Sequence, residues 1–310
     1  MSYRFDANES PSEAVQRIAL EQLDQALAHT EAKARLDDAV HDVRVCFKML
    51  RALIRLIRKE LGKEQYQREN IFYRDLNRGL SNVRDTATLT EILDKLTEHF
   101  ADELAEGVFD SIRNSLKRAT RKRQVDKKRT LVAARRKIHA CRKRVKKWSI
   151  KAEDFSAVGF GLAQVYSRGR RGFGKAQSKS SVKSLHEWRK EVKYLWYQVS
   201  LLRPVWSKPL KGFAKQIKQL VDCLSDDHDL AILRERVLAD SDHFEDRTER
   251  EALMALIDRR RTELESDAWI LGQRIYAEKA KDFRARFHEY WRAWQSEKSD
   301  EVVATSTINS

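Results

Sequence analysis

The chain has 310 residues, of which 41% are hydrophobic, 10 are glycine and 3 are proline. So few helix breakers favour an all-α fold and argue against a strand-rich one, since no strand-like alternation is visible either. The formal net charge of +15 points to a polyanionic partner such as nucleic acid, inorganic polyphosphate or anionic lipid.

The segment MSYRFDANES at the start of the sequence lacks the apolar run of a secretory signal. The most apolar predicted helix is interrupted by three arginines, which argues against a membrane span. We therefore expect a soluble cytoplasmic protein without membrane insertion. Cys46, Cys141 and Cys223 are widely spaced and odd in number, so we expect reduced, mostly buried thiols. No zinc-like Cys/His spacing is present, and we predict no metal and no cofactor.

The first predicted helix starts at Ser10-Pro11-Ser12-Glu13, which supplies an N-cap, a proline at the first helical position and a capping-box acid. It is expected to be about 18 residues long, within the usual range for globular helices. The apolar residues expected to face inward are Val15, Ile18, Leu23 and Leu27.

The second predicted helix runs from Val40 to Leu61, followed by a turn near Gly62. Its cations recur every three or four positions and share one stripe, while apolar residues cover about two thirds of the circumference. Such a helix packs on two sides, so the stripe is predicted to line a groove. No carboxylate lies inside the stripe, and an external polyanion would supply the missing partner. The alternative is a solvated face whose Lys and Arg stems cover apolar neighbours. The stripe consists of His41, Arg44, Lys48, Arg51, Arg55 and Arg58.

A third helix is predicted over residues 66–85, a fairly acidic one over 88–106, and a long basic one over 108–148 that is broken near residues 124–126. Residues 113–147 hold 17 Lys and Arg against the single acid Asp126. For residues 121–129 we expect a solvated charged face, because no apolar line accompanies the cations. Four later residues follow an apolar line and are predicted to border the same groove: Arg135, His139, Arg142 and Lys146.

The second helix has a copy in the other half of the chain, where the sequence from Leu185 reads LHEWRKEVKYLWYQVSLLR. A shift of 145 residues aligns four cationic positions, and the apolar face repeats too. Arg51 and Arg55 become Trp196 and Ser200. A single duplicated unit is the economical interpretation. The aligned pairs are His41 and His186, Arg44 and Arg189, Lys48 and Lys193, and Arg58 and Arg203.

At these residues the chain resembles the CHAD family, the conserved histidine α-helical domain, whose signature is H-x-x-R-x-x-x-K near the start of each half. Both halves match the signature, and the resemblance extends from YRFDANES to about residue 295. It implies two helical bundles around a basic central channel that binds inorganic polyphosphate. We therefore expect one domain, residues 1–295, built from two pseudo-symmetric repeats of about 1–158 and 159–295. Residues 296–310 are expected to form a disordered polar tail.

Residues 159–180 hold five of the ten glycines among several cations. They could be a flexible linker. The resemblance instead implies a helix that opens the second repeat and adds basic residues to the channel, and Tyr166 to Arg171 fits that segment loosely. We favour a helix with frayed ends.

Each half also contains an acidic motif, LSNVRD at Leu80–Asp85 and LSDDHD at Leu224–Asp229. Carboxylates and an imidazole could bind a divalent ion in the second copy. The first copy lacks most of those ligands, so we favour a polar turn with capping hydrogen bonds, which the resemblance also implies.

The chain after the second basic helix is expected to turn at Pro204 and Pro209, and then to form helices over 210–224 and 229–239. One or two long closing helices are expected over 247–294. An aromatic line is expected to lie in the core: Phe283, Phe287, Tyr290 and Trp294.

The leading functional hypothesis is non-catalytic binding of inorganic polyphosphate, which makes granules of polyphosphate a candidate location. RNA or DNA binding is the alternative, supported by the basic segment and by Trp196. An enzyme using His41 and His186 is less favoured, because both lie among cations and no nucleophile and base pair is evident. Relatives are often joined to a triphosphate-processing tunnel domain, which is absent from this sequence. The predicted binding residues are His41, Arg44, Lys48, Arg51, Arg55, Arg58, Arg135, His139, Arg142, Lys146, His186, Arg189, Lys190, Lys193 and Arg203.

Overall fold

The computed structural model describes residues 3–31, 36–80, 87–121, 125–239 and 247–308. Within these ranges the fold is all-α, as predicted, and none of the helices is long and apolar enough to cross a membrane. The helices of the first half are α1 (Pro11–Glu31), α2 (Leu36–Leu56), α3 (Arg58–Gly79), α4 (Ala87–His99), α5 (Asp110–Arg121) and α6 (Val125–Val145). Those of the second half are α7 (Ser156–Ser178), α8 (Val182–Leu201), α9 (Ser207–Ala239), α10 (Arg247–Ile275) and α11 (Ala280–Ile308).

Helix α1 begins with the predicted capping box. The backbone N–H of Ser10 donates to Glu13 Oε2 at 2.9 Å, and the N–H of Glu13 donates to Ser10 Oγ at 3.3 Å. These bonds satisfy donors that the first helical turn leaves free. The four apolar residues predicted to face inward are all buried: Val15, Ile18, Leu23 and Leu27.

The predicted turn after the basic helix is confirmed, but the helix ends earlier than expected. Helix α2 stops at Leu56, and Arg58 already begins α3. Gly62 has a φ of 71°, which interrupts α3 and which a residue without a Cβ adopts at little cost. Arg58 therefore lies on a separate helical turn from the other cations of the stripe. Residues 81–85 of the first acidic motif fall outside the described part of the chain.

In the described residues two hydrophobic cores hold the helices together, and each contains residues from both halves of the chain. The main core joins α1, α2, α3 and α6 to α7, α8, α11 and parts of α9 and α10. The second core joins α4 and α5 to the C-terminal half of α9 and the N-terminal part of α10. The cores therefore do not divide at the predicted repeat boundary near residue 158.

Helices α2, α7 and α8 meet at close range in the main core. The buried amide of Gln198 on α8 donates to the Ala52 carbonyl on α2 at 3.1 Å. A Cβ at Gly161 of α7 would lie 1.9 Å from the Leu56 carbonyl oxygen, so only glycine permits this approach. The glycine-rich segment is thus a helix, Ser156–Ser178, which confirms the helical interpretation over the linker.

The second acidic motif lies inside a helix, which corrects the predicted polar turn. Helix α9 runs without a break from Ser207 to Ala239 and includes Leu224–Asp229. Buried residues recur at helical spacing before, within and after the motif, so packing on one face continues through it. They include Leu220, Leu224, Asp227, Leu230 and Leu233.

The C-terminal region forms two helices, α10 and α11. Phe283, Phe287 and Trp294 are buried and Tyr290 is partly buried against the same core, which confirms the predicted aromatic core line. Helix α11 continues to Ile308. The predicted disordered tail, residues 296–310, is therefore helical as far as Ile308.

Candidate functional site

The two signature helices lie side by side, with one further helix on each flank. Helix α2 packs against α3 and α8, and α8 packs against α2 and α9. The resulting layer has the order α3, α2, α8, α9. Most of the cations that the signature predicted lie on α2 and α8, the two inner helices of this layer.

The C-terminal half of the α2 stripe holds two arginines against an amide of α3. Arg51 Nε donates to Asn70 Oδ1 at 3.3 Å, and Arg55 Nη1 donates to the same oxygen at 2.8 Å and to the Arg51 carbonyl at 3.0 Å. Arg55 is only 8% exposed. Burial lowers the pKa of Arg51, and the neighbouring cations Arg55 and Arg74 lower it further. In the described contacts these hydrogen bonds go to neutral oxygens, so none of them supplies a negative charge to offset the two cations.

Tyr194 of α8 connects the two basic helices. Its ring centre lies 3.9 Å from the guanidinium carbon of Arg55 and 5.7 Å from that of Arg51. The negative face of an aromatic ring attracts a cation, so Tyr194 holds part of the α2 stripe against α8. Neither Tyr194 nor Asn70 is among the predicted site residues, because neither lies on a basic stripe and their role depends on contacts between helices.

The other cations predicted on the α2 stripe divide into two groups. His41, Arg44 and Lys48 lie earlier on α2, are half-buried and interact with neighbouring groups. Arg58 differs from them, because its guanidinium group lies 4.6 Å from the Tyr66 ring centre and donates to Gln164 Oε1 on α7. The predicted stripe therefore ends at Arg55, and Arg58 connects α3 to α7.

The α8 stripe faces α9 through a pair of histidines. The rings of His186 and His228 are 4.6 Å apart. Burial lowers the pKa of both imidazoles, that of His228 to about 3, and nearby cations including Arg189 add to the effect. The buried Asp227 carboxylate accepts a hydrogen bond from Arg261 Nε of α10 at 2.8 Å. In the described chain no three His, Cys, Asp or Glu side chains are arranged to hold a metal ion.

The three remaining predicted cations of the α8 stripe lie in three different environments. Lys190 forms an ion pair with Glu187 at 2.6 Å. Lys193 is half-buried and interacts with neighbouring groups, whereas Arg203 is exposed in a short 3-10 helix after α8. Glu191 of α8 is affected by cations of both stripes: burial raises the pKa of its carboxyl group, and Arg168, Arg55 and Lys190 oppose that shift.

The α6 cations predicted to border the groove either form ion pairs with α1 or are exposed. Arg135 forms an ion pair with Glu31 of α1 at 2.6 Å, and Arg142 forms one with Asp24 of the same helix. Helix α6 packs mainly on α1 rather than on α2. Carboxylates of α1 therefore offset the charges of Arg135 and Arg142, which were predicted to border the groove. His139 and Lys146 are exposed.

The basic segment of α7 also differs from the expectation. Tyr166 Oη donates to the carbonyls of Ile275 and Glu278, and Arg170 Nε donates to the Tyr276 carbonyl at 3.1 Å. These two side chains thus bind carbonyls at the junction of α10 and α11. Arg170 and Arg171 also line a cavity of about 440 Å³ with Tyr276. None of the residues of the two stripes lines this cavity.

Trp196, which the sequence offered as a base-stacking residue, is partly buried against the main core. Its ring centre lies 4.7 Å from that of Tyr197, and the Lys218 ammonium lies 5.6 Å from it. These contacts are typical of packing at the edge of a core rather than of an open stacking platform.

A sequence model described as the CHAD domain matches residues 17–238, which include both signature helices. No curated protein matches the chain.

Proposed function

Because the chain belongs to the CHAD domain family, we propose that it binds inorganic polyphosphate and does not catalyse a reaction on it. The family resemblance implies this ligand. The geometry of Arg51 and Arg55 is the observation that supports it best. Two adjacent guanidinium groups, that of the buried Arg55 and that of the half-buried Arg51, donate to one neutral amide oxygen of Asn70 and lie beside one aromatic ring.

Such an arrangement is costly without an anion. Burial and mutual repulsion both disfavour the charged state of Arg51. A phosphate oxygen would add charge-assisted hydrogen bonds, each worth about 1.5 to 3 kcal/mol when the groups are fixed in place. The structure therefore favours a polyanion as the partner of this part of the stripe.

The length of the stripe favours a chain of phosphates. From His41 to Arg55 the α2 stripe covers 15 residues in one helix, which is about 21 Å at a rise of about 1.5 Å per residue. A single phosphate group would contact only one or two turns of that helix. The second stripe lies on α8, which packs directly against α2. Together the two helices offer a long basic surface to an extended anion.

A binding assay with labelled polyphosphate tests this proposal. Affinity should rise with phosphate chain length and exceed that for ATP or orthophosphate, because a longer chain contacts more of the stripe. Unlabelled tRNA and duplex DNA, added as competitors at the same ionic strength, should displace the probe poorly. Equal affinity for ATP and for long chains, or stronger competition by tRNA, would overturn it.

Nucleic acid remains the alternative ligand, and one surface of α6 favours it. Lys128, Arg129 and Arg136 line a shallow cavity of about 500 Å³ together with Val132, which is 50% exposed. This surface carries three cations and an exposed apolar side chain, and the described ion pairs of α6 with α1, which involve Arg135 and Arg142, do not include any of these three cations. If nucleic acid is the ligand, substitutions here should reduce tRNA binding more than substitutions on α2 do.

A further inference from the structure

The contact between α8 and α9 contains three buried nitrogen atoms without a hydrogen-bond partner in the described part of the chain. They are Nδ1 of His186, Nδ1 of His228 and Nε of Arg189. His186 and Arg189 lie one helical turn apart on α8, and the His228 ring lies against that of His186. A buried polar atom without a partner is costly, so three of them together indicate a place where a ligand completes the hydrogen bonding.

The charges around this cluster are mostly positive. From α8, Arg189, Lys190 and Lys193 disfavour protonation of His186, and Glu187 favours it. From α8 and α10, Arg189, Lys193 and Arg261 disfavour protonation of His228, as does His186 itself.

The acids of α9 offset this charge only in part. Asp229 and Asp227 favour the charged form of Arg189, but burial outweighs them and lowers its pKa. Asp227 already accepts a hydrogen bond from Arg261. The cluster therefore repels added protons in the absence of an anion, and an anion would change that balance.

We propose that His186, Arg189 and His228 form a subsite for one phosphate group of the bound anion, and that binding there is accompanied by uptake of a proton on the histidine pair. This inference rests on the proposed function and adds His228, together with a proton balance, to it. The proton comes from solvent, and no covalent bond is made or broken.

Proton uptake is expected because a bound phosphate group changes the electrostatic potential at the two histidines. Its negative charge offsets Arg189 and Lys193, and an imidazolium donates from both ring nitrogens where a neutral imidazole donates from one. The two histidines are neutral in the free protein at neutral pH and become easier to protonate in the complex. Affinity for polyphosphate should accordingly increase as the pH falls from neutral towards the lowered pKa of the free histidines.

Isothermal titration calorimetry tests the proton balance directly. Long-chain polyphosphate would be titrated into the full chain at about pH 6.5, the ordinary pKa of histidine, in phosphate-free buffers of different ionisation enthalpy. The slope of observed enthalpy against buffer ionisation enthalpy gives the number of protons taken up. We expect a clear uptake for the unsubstituted chain and little or none for His228→Asn. That variant should also lose about tenfold in affinity, as for one charge-assisted hydrogen bond.

The variant His288→Asn serves as the matched control, because it removes an exposed histidine of α11. It should keep both the affinity and the proton uptake. If His228→Asn unfolds, NMR titration of the histidine ring protons in the unsubstituted chain replaces it. Two histidine resonances should then titrate at higher pH after polyphosphate is added.

The outcomes separate the subsite from the proposed function. Absence of polyphosphate binding by the unsubstituted chain would overturn both. Binding without proton uptake, or uptake that persists undiminished in a folded His228→Asn chain, would overturn the subsite and leave polyphosphate binding intact. Histidine resonances that do not move on addition of polyphosphate would overturn it equally.

Discussion

The guanidinium carbon of Arg55 lies 3.9 Å from the ring centre of Tyr194, so a cation of one signature helix rests on an aromatic side chain of the other. Both residues are buried, at 8% exposure each. Arg55 is thereby held in a fixed orientation by Tyr194 on one side and Asn70 on another. The proposed binding surface, which crosses from α2 to α8, would depend on this contact.

Replacing Tyr194 should weaken the contact between the two helices. A cation over an aromatic ring contributes about 0.5 to 2 kcal/mol, so Tyr194→Leu should lower the free energy of unfolding by about that amount. Tyr194→Phe keeps the ring and should remain close to the unsubstituted chain. Urea denaturation followed by circular dichroism measures both. Equal losses in the two variants would show that the hydroxyl group matters rather than the ring.

A carboxylate at position 70 should compete with the polyanion for Arg51 and Arg55. Asn70→Asp preserves the shape of the side chain and places a negative charge against Arg51 and Arg55, where the amide oxygen now accepts at 3.3 and 2.8 Å. The protein should be as stable as before or more so, while polyphosphate affinity falls by about tenfold or more, as expected for a lost charge-assisted contact. Fluorescence anisotropy with labelled polyphosphate measures the change. Gln67→Glu, at an exposed position of the same helix, makes the same change in net charge and should have little effect.

Neutralising the α2 stripe should cost far more affinity than neutralising an exposed surface of equal charge. The variant Arg44→Ala/Lys48→Ala/Arg51→Ala removes half-buried cations, whereas Lys128→Ala/Arg129→Ala/Arg136→Ala removes exposed ones. Each fixed contact is worth about 1.5 to 3 kcal/mol, so the first variant should lose at least about a hundredfold in polyphosphate affinity. The second should lose less than about tenfold, because exposed charges are screened by salt. Similar losses in two folded variants would mean that net charge alone determines binding.

The salt dependence of binding should follow the number of phosphates contacted. The logarithm of the association constant is expected to fall linearly with the logarithm of the salt concentration, because each contacted phosphate releases condensed counterions. The α2 variant should show a shallower slope than the unsubstituted chain, by about 0.7 for each contact removed, as for a single-stranded polyanion. An unchanged slope would indicate that these residues do not touch the anion.

The burial of His228 should make the fold sensitive to acid. The folded protein holds the pKa of this imidazole at about 3, whereas the unfolded chain has the ordinary value of about 6.5. As the pH falls from about 6.5 towards 3 the unfolded state binds the extra proton, so the free energy of unfolding decreases, by up to about 1.4 kcal/mol per pH unit. Above about pH 7 the imidazole is neutral in both states and the effect disappears.

Denaturation curves at several pH values test this dependence. His228→Asn should show a smaller decrease in stability between pH 6.5 and 4 than the unsubstituted chain, and His288→Asn controls for the loss of an exposed histidine. Parallel curves for His228→Asn and the unsubstituted chain would contradict the prediction.

Several features of the fold and of the site could be predicted because they depend on residues close together in the chain. The capping box of Ser10 and Glu13 joins residues three positions apart, and the basic stripe of α2 follows from helical periodicity alone. The glycine at position 62 marks the turn after that stripe. The repeated signature at His41 and His186 likewise needed only a comparison of the two halves.

The remaining features depend on which helix packs against which, and local spacing carries no information about that. Arg142 belongs to a basic line much like that of α2, yet it pairs with Asp24 because α6 packs on α1. The motif at Leu224–Asp229 looks like a turn, but packing on one face keeps it helical, and Arg261 of α10 satisfies Asp227. Sequence alone determined most of the helices and the basic face of α2. Only the tertiary structure decided which cations find carboxylates and which, like Arg51 and Arg55, lie against Asn70 and Tyr194, because those partners are distant in the chain and meet only when the helices pack.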